Sequence, residues 1–204
     1  MVYAFIDAAN LFYGGEKSLG WKIDYKKLLL YLKNKFSVSR AYYYAGVDVG
    51  SYKGKDKGIN LDGLLDFFQR KLRRERLKEA ERLEIEKYIQ RIKFYKKLDS
   101  FGFKLRLKPT KIFRNGKSTV KKANCDVDLT FDLMRYMSQY SEIVMLSGDG
   151  DFAPVLEYLK NKRKKVHILA RSERTAREIR VLAGDKFMDF KYLREQLKIQ
   201  KAPV

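Results

Sequence analysis

The stretch Ile143–Phe152, IVMLSGDGDF, constrains this chain more than any other. Four apolar residues, Ile143 to Leu146, have the length and composition of a buried strand, and Ser147-Gly148 ends it with a turn signal. Two carboxylates, Asp149 and Asp151, follow at once. The first residues repeat the arrangement: Val2–Ile6 is an apolar run that leads into Asp7 and then Ala8-Ala9-Asn10. Open α/β sheets bind ligands outside the carboxyl ends of their strands, which is where both sets of acids would stand. Two such strand ends imply one carboxylate cluster.

The remaining pattern supports the same class. Asp24 is placed to cap a helix over Tyr25–Phe36, with Leu28, Leu29, Leu32 and Phe36 as its apolar stripe. Arg40–Ala45 reads as a second strand, and 48–60 as a Gly/Lys/Asp-rich loop. A long helical region is expected from Leu61 to Leu98, then a third strand over Phe103–Leu107, stopped by Pro109. Asn115-Gly116 within Ile112–Val120 is a two-residue hairpin signal. Helix then alternates with strand: Val127–Met137, Ile143–Leu146, Phe152–Lys162, Val166–Leu169 and Arg174–Leu182, with a last helix over about 191–197 and a short basic tail to 204. That alternation is the signature of a mostly parallel sheet with helices on both faces, expected here over residues 1–190 with a helical insertion at about 48–98.

With 204 residues, 45% of them hydrophobic, the chain can bury a sizeable core. No run approaches the roughly 20 apolar residues needed to span a bilayer. The start, MVYAFIDAAN, lacks the pattern of a secretory signal, and the single cysteine, Cys125, leaves no intramolecular disulfide to form. A cytoplasmic location is the expectation. The charge balance, 45 Lys and Arg against 25 Asp and Glu for a formal +20, favours a polyanionic partner. Nucleic acid comes first and an anionic membrane surface second.

Two segments sharpen that expectation. Gln69–Arg82 carries seven basic residues against three acids on a helical pattern with few large apolar positions. It is either a solvated helix held by i,i+4 pairs or a basic arm that grips phosphates through Arg70, Arg73, Arg74 and Arg76. Tyr42-Tyr43-Tyr44 offers rings that stack on unpaired bases, although RAYYYAG reads better as a strand alternating between core and surface.

In so basic a chain the acids need a reason. Asp126 heads a helical stripe with Leu129, Leu133 and Met137, so it stands at the helix start on the face toward the sheet, a place that an N-cap would also occupy. It is the better candidate to join Asp7 and Asp149, with Asp128 or Asp132 of second rank. Carboxylates packed at about 4 Å repel by roughly 4 kcal/mol per pair at an effective dielectric near 20. A hard cation relieves that repulsion, and oxygen-only ligands select Mg²⁺ or Mn²⁺ over zinc. Such a cation polarises phosphoryl oxygens and activates water. His167, flanked by Val166 and Ile168, reads as a core or edge residue. Neither GxGxxG after the first strand, nor a Walker A loop, nor a GxSxG elbow is present.

FIDAANL at Phe5–Leu11, Asp126 with Asp132 six residues on, and SGDGDF at Ser147–Phe152 together resemble the NYN domain family, relatives of PIN-domain nucleases that include a bacterial LabA-like branch. The resemblance implies a PIN-like three-layer α/β/α sandwich, one or two Mg²⁺ or Mn²⁺ ions, and ribonuclease activity. It places Asp7, Asp126 and Asp149 as metal-binding acids and Asp151 as a further acid at the rim, for a second metal or the attacking water. Asn10 would orient a ligand or water, and Ser147 would add a hydroxyl near metal or phosphate. The expectation is a metal-dependent endoribonuclease whose RNA is held by the basic insertion and by Lys111, Arg114, Lys117, Lys121 and Lys122. A homodimer is compatible with it. The rivals are a non-catalytic NYN scaffold that binds RNA or protein, and a DNA nuclease.

Overall fold

The computed structural model describes residues 1–52, 58–74, 76–115 and 118–199; for Arg74, 112–115 and 118–122 it describes the backbone alone. Two compact units result: Met1–Tyr44 with Asp126–Val204, and Ala45–Cys125.

The first unit begins with β1 (Val2–Asp7), whose end is followed by a short helix, α1 (Ala8–Asn10), and a π-helical segment, Leu11–Lys17. Then come α2 (Tyr25–Phe36) and β2 (Val38–Val47), whose last residues pass into the second unit. Asp24 caps α2 as expected, accepting from the Lys26 and Lys27 N–H groups at 3.0 and 3.1 Å.

The second unit holds α3 (Leu61–Arg74), α4 (Glu79–Phe101), β3 (Lys104–Pro109), β4 (Lys111–Asn115) and β5 (Ser118–Lys122). The single helix expected over 61–98 is therefore two helices, with residues 76–78 between them non-helical. They run antiparallel: Phe68 meets Tyr88 with ring centroids 5.2 Å apart, and Lys96 pairs with Asp62. Doubling back lets Leu64 and Phe68 of α3 pack with the Ile85, Ile89 and Ile92 stripe of α4, which one straight helix would leave in water. Pro109 ends β3 from within, and β4 pairs antiparallel with β5, Asn115 opposite Ser118; Gly116, on which part of the expected Asn115-Gly116 turn falls, lies outside the described residues.

The chain returns to the first unit with α5 (Asp126–Arg135), β6 (Glu142–Leu146), α6 (Ala153–Asn161), β7 (Lys165–Ala170), α7 (Arg177–Ala183), β8 (Phe187–Asp189) and α8 (Arg194–Leu197). Helix α5 stops at Arg135, two residues short of Met137. The terminal helix is part of this unit: Leu197 is fully buried, and its carbonyl accepts from the Asp24 N–H at 2.7 Å.

The six-stranded sheet has the order β3-β2-β1-β6-β7-β8, and β1 pairs in parallel with both β2 and β6. The chain winds from β1 toward β2 and, later, from β6 toward β8, so the order reverses between β1 and β6. Phe5, Tyr42 and Tyr44 stack on one face, with Phe5 also meeting Tyr140 edge-on, while Tyr43 on the other face meets Tyr25 of α2. All three tyrosines of RAYYYAG are buried, where alternation between core and surface was expected. A parallel sheet covered on both faces has no wet side for the alternate residues. The stacking role for these rings is thereby filled by the core. No helix among the described residues is long and apolar enough to cross a membrane.

Candidate active site

The reversal point between β1 and β6 collects the acids. Ile6 pairs with Leu146, so Asp7 stands level with Ser147 at the carboxyl end of the sheet. Asp7 is 9% exposed, and both carboxylate oxygens are engaged. Oδ1 accepts from the N–H groups of Ala9 at 3.0 Å and Asn10 at 3.2 Å, capping α1, and Oδ2 accepts from the Ser147 hydroxyl at 3.1 Å. Burial raises the Asp7 pKa above its ordinary 3.8 in spite of those bonds, and the charge of Asp126 adds to the rise.

Asp126 reaches this point because α5 lies over the Phe5–Tyr44 face of the sheet. Its buried positions are Leu129, Asp132 and Leu133. Asp132 accepts from the Tyr44 hydroxyl at 3.0 Å, which ties the middle of the helix to the strand residue paired with Asp7. With α5 fixed there, Asp126 in its first turn is brought near Asp7. Sequence reasoning missed this Tyr44 anchor. Its signal was the position of Tyr44 one pleat from Tyr42, on the same face as Phe5.

The loop after β6 is drawn in from three sides. Ser147 is 2% exposed; besides donating to Asp7, its oxygen accepts from the Asp149 N–H at 3.3 Å. Asn10 Oδ1 accepts from the Gly148 N–H at 3.1 Å, and the Gly148 carbonyl accepts from Ala176 at 2.9 Å. A Cβ on Gly148 would strike the Thr175 side chain and come within 2.9 Å of its Cα, so only glycine lets the two loops meet. Asp149 is half-buried, and its Oδ1 accepts from the Asp151 N–H at 3.1 Å, capping the 3₁₀ turn Gly150–Phe152. Asp151 is exposed.

The structure thus gathers Asp7, Asp126, Asn10 and Ser147, holds Asp149 through Ser147, and leaves Asp151 at the rim. Among the described residues, no three His, Cys, Asp or Glu side chains converge as a closed metal cage. Magnesium is commonly held by one or two carboxylates with the rest water, and the Asp7–Asp126 pair fits that demand. It does not fit tetrahedral zinc, which calls for His and Cys. His167 lies at the other end of the sheet's β6–β7 pair, with Nε2 3.2 Å from Glu142 Oε2.

Of the expected phosphate contacts, Arg70 is exposed and bridged to Asp66 at 2.9 Å, and Arg73, Arg76 and Lys111 are exposed. Lys117 and the side chains of Arg74, Arg114, Lys121 and Lys122 lie outside the described residues. Beside the acids, an open cavity of about 470 Å³ is lined by Asn10, Tyr13, Glu173 and Arg174.

A parallel α/β sandwich with a buried acid at its topological switch point defines the class of this protein. The chain belongs to the NYN domain family, whose model matches residues 1–191. It is 27% identical over 205 residues to the Low amplitude and bright protein LabA of Synechococcus elongatus, covering 98% of this chain and 88% of that one. A protein of unknown function, VPA0982 from Vibrio parahaemolyticus, shares the fold with a TM-score of 0.61 at 20% identity, over 97% of this chain and 96% of its own. The T5 D15 protein co-crystallised with metal ions aligns more loosely, with a TM-score of 0.47 at 14% identity over 89% of this chain and 59% of that one.

Proposed function

We propose that this protein is a metal-dependent nuclease that hydrolyses RNA phosphodiester bonds with Mg²⁺ or Mn²⁺. The observation that carries the reading is Asp7, a buried carboxylate at the switch point with Asp126 close enough to raise its pKa further. A capping role alone needs an oxygen, which Asn or Ser supplies; it gives no reason to bury a charge beside a second acid. In a chain of charge +20 a phosphate-bearing substrate is the natural complement.

Asp7 and Asp126 would hold the cation. When bound, it would polarise a phosphoryl oxygen and supply a nucleophilic water near neutral pH. Ser147 fixes the Asp7 rotamer, because its hydroxyl donates to the oxygen that does not cap α1. Asn10, with Oδ1 committed to Gly148, keeps its amide NH₂ for substrate or water. Asp149, expected as a third metal-binding acid, would join Asp7 and Asp126 or orient the attacking water and accept its proton, with Asp151 as a further acid at the rim. In-line attack would leave 5′-phosphate and 3′-hydroxyl ends. Exposed Arg70, Arg73, Arg76 and Lys111 supply phosphate contacts in this reading, with Arg74, Arg114, Lys117, Lys121 and Lys122 as further candidates.

A second reading, a binding scaffold that does not cut, is favoured by one observation: Asp7 and Asp149 each already cap a turn. The deciding experiment is cleavage of labelled RNA, and of the same oligonucleotide as DNA, with Mn²⁺, Mg²⁺ or EDTA. Asp149→Asn keeps the capping oxygen and removes the charge. We expect metal-dependent cutting of RNA that this variant loses while binding persists. Binding without cutting under every metal would establish the scaffold, and preferential cutting of DNA would replace the substrate.

A further inference from the structure

We propose that Phe12 and Tyr13, with Arg174, form a subsite that stacks one unpaired base beside Asp7, making the protein selective for single-stranded over duplex RNA. The inference rests on the nucleic-acid reading above and names the substrate form that site would accept.

Three independent features meet here. The first is exposure. Leu11 is buried at 3%, yet the next two residues leave large rings in water, Phe12 at 46% and Tyr13 at 56% exposed. They sit on a π-helical segment that starts four residues after Asp7, and π-helical turns are rare and frequently found at functional sites. The two rings brace one another edge to face at 5.1 Å, so they form a platform with a defined orientation. Lys17 Nζ lies over the Tyr13 ring, 5.5 Å from its centroid, so a cation sits on one face of that ring and a base would stack on the other.

The second feature is space. The open, polar hollow lined by Tyr13, Asn10, Glu173 and Arg174, about 470 Å³, leaves room for a base to lie against the Tyr13 ring. It opens next to the acids, since Asn10 both lines it and donates its backbone N–H to Asp7.

The third is charge. Glu173 is paired with Arg171 at 2.6 Å, a cation it shares with Asp189 at 3.3 Å, so the charge of the acid on the cavity wall is offset in part. Arg174 remains as a cation for a phosphate. An aromatic face, a cation and a polar amide beside a hydrolytic site match a nucleotide whose base is free to leave its neighbours. A duplex keeps its bases stacked and presents no such face.

The test is binding in EDTA, where cleavage cannot intervene. Fluorescence anisotropy would compare a short labelled single-stranded RNA, the same strand with one abasic position, and its full duplex. For the wild type we expect tighter binding of the intact single strand. Tyr13→Ala should weaken single-strand binding roughly ten-fold, within the range for loss of one stacked base, and leave duplex binding unchanged. Tyr13→Phe should restore it, and Arg174→Ala should weaken both forms and lower the salt slope. Equal losses on single strand and duplex, or unaltered single-strand affinity in Tyr13→Ala, would overturn the subsite. Loss of selectivity in Tyr13→Ala would support it even if no metal yields cleavage, which separates its fate from that of the nuclease reading.

Discussion

At Asp7, burial raises the pKa above 3.8 against the pull of three hydrogen bonds, with Asp126 adding to the rise. Between 3.8 and that raised value, the folded state binds more protons than the unfolded state. Stability therefore falls as pH rises through this window. Asp7→Asn keeps the caps on Ala9 and Asn10 and removes the charge, so its stability should overtake that of the wild type as pH climbs from below 3.8 to neutrality. Each kcal/mol relieved would shift Tm by about 2–4 °C in a chain of this size. Thermal melts in EDTA across that range would show it. Adding Mn²⁺ at neutral pH should reverse the order, stabilising the wild type and not the variant. A pH-independent difference would mean that Asp7 is not held charged against its surroundings.

Gly148 and Gly150 give a second contrast at this scale. A methyl on Gly148 meets Thr175 down to its backbone, whereas one on Gly150 meets the end of the flexible Glu178 side chain and Ala176 Cβ at 3.2 Å. Gly148→Ala should cost about 1–3 kcal/mol and displace the loop that carries Asp149, and Gly150→Ala distinctly less. Denaturant melts check both. Equal losses would mean that the β6 and β7 loops do not press on one another.

Among elements, α5 is the one whose placement makes the site, and its anchor is the Tyr44–Asp132 bond. Tyr44→Phe keeps the ring stacked on Phe5 and removes the donor from a buried carboxylate, a loss of about 1–3 kcal/mol. If α5 is positioned through that bond, affinity for Mn²⁺ should fall as well, measured by calorimetry. A drop in stability with unaltered metal affinity would confine the bond to the core. This element also marks the limit of what sequence can tell. Asp7 and the Ser147–Asp151 loop were legible because apolar runs end abruptly in acids at strand ends, and Asp126 because it heads a helical stripe that must face the sheet. Tyr44 was not legible, since period-2 alternation is silent when both faces of a strand are covered. Nor was the break between α3 and α4. Charged residues satisfy a helical pattern equally in one long helix or two short ones, and only the packing of Phe68 against Tyr88 decides. Phe12 and Tyr13 lay in the stretch between β1 and α2, which carried no periodic signal to place them.

For the molecule as a whole, the formal charge of +20 poses a question of distribution: whether RNA feels a diffuse field or a set of discrete contacts. The two predict different salt responses. Each phosphate neutralised on a single strand contributes about 0.7 to the slope of log affinity against log salt. Arg70, Arg73 and Arg76 stand exposed at the end of α3 and just beyond it, and the Arg70–Asp66 ion pair is solvent-exposed on both sides. Such a pair contributes about 0–1 kcal/mol, so changing these residues should leave Tm almost unmoved. If all three grip phosphates, the variant carrying Arg70→Gln, Arg73→Gln and Arg76→Gln should lower the slope by about 2. Its preference for single strand over duplex should persist, because selectivity is assigned to Phe12 and Tyr13. A slope left unchanged would show that these arginines neutralise no phosphate, because any charge contribution to binding is screened by salt and would alter the slope.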